Sequence, residues 1–111
     1  MALSLIRTTS SGAKLYAFEL AAGTSTETIA AGVAGAKVQL DGGTLLVSAA
    51  CEIQLVEETS GTALSGKFNL PQAAQWTVEP DREYRVATAG KGIRISRSAS
   101  AAITGEVLIS S

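Results

Sequence analysis

The sequence predicts an all-β domain, a two-sheet antiparallel sandwich of jelly-roll-like form with about eight strands. Three observations carry that expectation. Apolar residues recur two apart, at Val38 and Leu40, Leu45 and Val47, Ile53 and Leu55, Trp76 and Val78, Ile93 and Ile95, and Val107 and Ile109. A period of two turns one face of a strand to a core and the other face outward. These runs recur roughly every ten residues between clusters of Gly, Ser, Pro and Asp, the spacing of a sandwich or barrel. No stretch beyond the N-terminal quarter sustains a helical period. An open sheet of this many strands would leave long edges exposed, which favours two sheets over one.

The elements follow in order. Leu3–Thr8 and Lys14–Leu20 form two candidate strands joined by a Ser/Gly turn, and this piece is either an arm or the first hairpin of the domain. The chain therefore divides into an N-terminal segment, 1–22, and a sandwich domain, 23–111. Glu27–Ala31 is a short strand with Ile29 inward. Ala36–Leu40 and Thr44–Ala49 flank Asp41-Gly42-Gly43, and one long strand bent at the glycines is preferred over a hairpin. Glu52–Glu58 places Ile53, Leu55 and Glu57 on one face. Thr62–Leu70 is extended with weak patterning, and Pro71 ends it. Gln75–Val78 carries the sole Trp, and Glu79-Pro80-Asp81-Arg82 is a turn. Tyr84–Ala89, Ile93–Ser98 and Ala102–Ser110 complete the set.

With 111 residues, the chain is long enough for one core. Only 5% of it is aromatic, and small side chains bury little area each, so association between subunits would add to a modest core. Nine basic and ten acidic residues are interspersed without a basic run, so no nucleic-acid partner is expected. No apolar stretch approaches the ~20 residues that span a bilayer as a helix, and no membrane partner is expected. Cys51 is alone, which suits synthesis in a reducing compartment.

Chemistry is sparse. Without His and with one Cys, a zinc site has no ligand set, and Glu79, Asp81 and Glu83 around the Pro80 turn form the best acidic cluster. A hydrolytic triad lacks its base. Glu57 and Glu58 are adjacent and point to opposite faces of a strand, so they cannot act as a pair. Gly90-Lys91-Gly92 opens a strand, not the helix of a phosphate loop. Trp76 and Tyr84 are candidates for packing in the core or between subunits, or for a stacking platform. No enzyme activity and no cofactor or metal is expected.

Several segments in order carry a family resemblance: Ile29–Leu40, Leu45–Ala50, Ser60-Gly61-Thr62-Ala63-Leu64-Ser65-Gly66, Pro80-Asp81, Ala87–Ile95 and Ala102–Val107. This series resembles a widespread group of small β-sandwich virion proteins of tailed bacteriophages, of the head decoration or cement type. The likeness covers about residues 27–110, mostly through small residues at turns. After Pro-Asp, where the group has Gly-Trp-Phe, this chain has Arg82-Glu83-Tyr84. The resemblance implies a structural module, often trimeric, made in the host cytoplasm and carried on the virion at the capsid surface. Its expected partners are the major capsid protein and two further copies of itself. The capsid contact is expected at Leu3, Leu5, Ile6 and Arg7, which precede the shared region, and the oligomer interface at Trp76 and Tyr84. The alternative is a tail- or fibre-associated module that binds a receptor or glycan, which would need an exposed aromatic or polar pocket.

Overall fold

The computed structural model describes residues 2–111, without the side chains of Ala2 and Pro80. Its ten strands are β1 Ala2–Thr8, β2 Lys14–Leu20, β3 Glu27–Ala30, β4 Gln39–Val47, β5 Cys51–Glu57, β6 Phe68–Leu70, β7 Gln75–Val78, β8 Tyr84–Arg85, β9 Ile93–Arg97 and β10 Ile103–Ser110. All pair antiparallel, in a six-stranded sheet of order β1-β2-β10-β4-β7, with β8 also on β4, and a four-stranded sheet of order β3-β9-β5-β6.

The pairings nest. β5 pairs with β6, β4 with β7 and β8, β3 with β9, and β2 with β10. From β2 to β10 the chain is thus one long hairpin ribbon whose two arms pair with each other. Rolling that ribbon sets β10 beside β4 and β9 beside β5, and gives the two sheets of a jelly roll. β1 lies outside this ribbon and extends the larger sheet through β2. Against an expected count of about eight, the ten strands include the N-terminal candidate as β1 and the short segments β6 and β8.

The inner faces form one apolar core. Phe18 and Leu20, Leu45 and Val47, Ile53 and Leu55, Ile93 and Ile95, and Val107 and Ile109 are all buried, each pair two residues apart. β4 shows how the period is kept across an irregularity. Its buried large side chains are Leu40, at an even position, and Leu45 and Val47, at odd ones. The switch requires one extra residue, and Asp41 supplies it: Leu108 faces Gly42 while Ile109 faces Leu40. The strand is continuous and bent there, as the glycines predict.

Two expected strands are shorter than their sequence suggests, for a common reason. In 62–70 only Phe68–Leu70 is a strand, and the Ser65 hydroxyl takes the Leu55 N–H that a neighbouring strand carbonyl would have taken. In 84–89 only Tyr84–Arg85 is a strand, and the N–H groups of Ala87 and Thr88 go to the Glu57 carboxylate. Side chains replace ladder partners in both places.

Candidate functional site

The N-terminal strand forms the first candidate surface. β1 is the outermost strand of the larger sheet and joins it through β2. Leu3 pairs with the buried Phe18 and packs on the rim of the core. Leu5 is 53% exposed and Ile6 50% exposed. The register shifts between Leu5 and Arg7, leaving Ile6 as a bulged residue, and Arg7 is exposed beyond it. Among the described residues, β1 pairs on one side only, so its other edge presents free backbone N–H and C=O groups. A pocket of about 280 Å³ opens beside it, lined by Leu3, Tyr16, Ile29, Val33, Val38 and Ile109 among others. Val33 at its mouth is a further exposed apolar side chain.

The second candidate is a cleft of about 560 Å³ at the opposite edge of the sandwich, where β6 and β7 meet. Phe68 and Trp76 bring their rings together with centroids 4.7 Å apart and planes inclined at 32°. Tyr84 follows at 6.3 Å from Trp76. All three rings are half-buried and pack on the core. Trp76 faces Leu45 of β4 across the ladder, and Tyr84 faces Leu40, so the bent strand positions both. The short 3-10 turn Pro80–Arg82 carries Glu79 and Arg82 to the rim, where the Arg82 Nε donates to the Glu79 carboxylate at 3.3 Å. Burial pushes the Tyr84 hydroxyl's pKa up; Arg82 opposes this, while Glu79 and Asp81 reinforce it.

Two buried charges sit at opposite ends of the inner face. Glu57 Oε1 accepts from the N–H groups of Ala87 and Thr88, and Oε2 accepts from the Ser60 hydroxyl at 2.7 Å. The Ser60 hydroxyl and then these backbone donors hold its carboxyl below the usual glutamate range. Arg97 donates to the carbonyls of Ala21, Ser25 and Ala101 and so ties the β2–β3 and β9–β10 connections together. Glu57 is opposite Ile93, and Arg97 is four residues along β9, about 13 Å away at strand rise. They are separate structural locks. Cys51 is buried and free, and burial pushes its thiol up, with Arg97 opposing. Among the described residues, no group of three or more His, Cys, Asp or Glu side chains is gathered as a metal site would need.

Comparison with protein-family models, with curated proteins and with solved structures returns no match for this chain.

The structure therefore places Leu3, Leu5, Ile6 and Arg7 together on one outlying strand, and Trp76 and Tyr84 together in one cleft, with the two sets on opposite edges of the larger sheet. Sequence reasoning missed Phe68 as the third ring, because 62–70 lacks a clear period. It also missed the role of Arg97, although Arg97 continues the two-residue step of Ile93 and Ile95.

Proposed function

We propose that this chain is a non-catalytic structural module that associates as a homotrimer and decorates the outer surface of a bacteriophage head, bound to the major capsid protein through β1. One observation carries the reading: a strand edge unpaired among the described residues, on a strand that holds Leu5 and Ile6 exposed. Fully burying a side chain of this size contributes roughly 1.5–3 kcal/mol, so these two half-exposed residues are a substantial unused store of binding energy. The free backbone groups beside them would add hydrogen bonds by strand addition. Arg7 at the end of the strand would give the contact an electrostatic element.

Trimeric association fits the same logic. A shell offers local threefold positions, and three linked contacts bind far more tightly than one through effective concentration. The two buried charges support a structural rather than catalytic reading, because the lone pairs of Glu57 and the donors of Arg97 are already engaged within the fold. Densitometry of purified particles tests the assignment. A head decoration module is present in numbers comparable to the capsid protein, whereas a copy number matching only tail or fibre components would overturn it.

A further inference from the structure

We propose that the cleft between β6 and β7 is a binding site for a neutral saccharide, with Trp76, Phe68 and Tyr84 as its apolar floor and Glu79 and Arg82 as its hydrogen-bonding rim. A pyranose ring has an apolar C–H face and a periphery of hydroxyls, so a site for it must be aromatic below and polar at the sides. This cleft meets both demands. Three rings lie in a row along its lining, and five of its ten lining residues, Ser65, Thr77, Glu79, Arg82 and Tyr84, carry a hydroxyl or a charge. At about 560 Å³ it falls within the size range of small-ligand sites.

Charge selects among ligands that stack on aromatic rings. Glu79 and Arg82 neutralise each other at 3.3 Å, and Asp81 is exposed beside them. A nucleic-acid strand would meet no excess of positive charge there, and the chain as a whole carries a net charge of −1. For vicinal hydroxyls the same pair is well matched, since the carboxylate accepts and the guanidinium donates. The Ser65 hydroxyl is committed to the Leu55 N–H and the Gly66 carbonyl, and Thr77 alternates with Trp76 along β7, which leaves Glu79, Arg82 and the Tyr84 hydroxyl as the groups for the ligand. This inference is independent of the head-decoration reading and gives Trp76 and Tyr84 a ligand in place of a subunit contact.

Trp76 is the chain's only tryptophan, so its fluorescence reports directly on the cleft. The full-length protein is titrated with maltose, cellobiose, lactose and N,N′-diacetylchitobiose into the tens of millimolar. At least one is expected to give a saturating change in emission. Because Trp76 also packs on the core, the discriminating variant is Glu79→Ala/Arg82→Ala, whose side chains are largely exposed. It should keep the wild-type circular dichroism and melting temperature and weaken the response about tenfold or more. Absence of any saturable response across the four sugars would overturn the proposal. So would a response that the variant leaves unchanged, or a tighter response to a proline-rich peptide or a single-stranded oligonucleotide.

Discussion

Glu57 Oε1 accepts a 2.6 Å hydrogen bond from the backbone N–H of Ala87, thirty residues further along the chain. With the Thr88 N–H on the same oxygen, this contact replaces the strand pairing that the 84–89 segment would otherwise seek. It stitches the connection between β8 and β9 to the end of β5.

The first prediction concerns pH. The folded-state pKa of Glu57 lies below its unfolded value, so its contribution to stability is complete at neutral pH. It is lost as pH falls through the ordinary glutamate range toward the folded value. Thermal unfolding from neutral pH down to pH ~3 should show a falling melting temperature over that window. Glu57→Gln should lower the neutral-pH melting temperature by several degrees and flatten this acid limb. An unchanged limb in the variant would show that other carboxylates govern it.

Arg97 should be the most costly polar residue to lose. Its guanidinium satisfies the carbonyls of Ala21, Ser25 and Ala101, two of them through one nitrogen. Arg97→Met leaves these acceptors unpaired and should cost about 3 kcal/mol or more in chemical denaturation. Arg97→Lys should recover less than half of that, because an ammonium cannot reach three directions as a planar fork does.

Two glycines set the closeness of β4 and β10. Gly105 has φ 152° and Gly43 has φ 135°. A Cβ on Gly105 would collide with the Thr44 carbonyl oxygen, and one on Gly43 with the Glu106 carbonyl oxygen. Gly105→Ala should therefore destabilise by ~2 kcal/mol or more, or prevent folding, through both strain and collision. Gly66→Ala, with open space around it, should stay within about 0.5 kcal/mol of wild type.

The strands were legible in the sequence wherever one face is buried. Lys14–Leu20 and Gln75–Val78 match their expected limits, and β5 shows the alternation that put Ile53, Leu55 and Glu57 on one face. The bent strand was legible from Asp41-Gly42-Gly43. The nested pairing order was not legible, because it depends on contacts far apart in sequence, such as β2 with β10. Phe68 was hidden for the same reason: its meaning comes from Trp76 on the opposite sheet. Glu57 and Arg97 were visible as residues on inward faces, but their partners are backbone groups of distant loops, which carry no side-chain signature.

Oligomeric state gives an independent prediction. With 5% aromatic residues and several exposed apolar side chains, the chain should gain burial by association. Light scattering at micromolar concentration should return about three times the 11.3 kDa subunit mass. A subunit-sized particle that still attaches to heads would contradict the trimer.

Co-sedimentation with undecorated heads tests the role of β1 most directly. Leu5→Glu/Ile6→Glu places charges on two half-exposed positions and should leave folding intact. The wild-type protein should pellet with the heads. The variant, with the same melting temperature and oligomeric mass, should remain in the supernatant. Full binding by the folded variant would contradict attachment through β1.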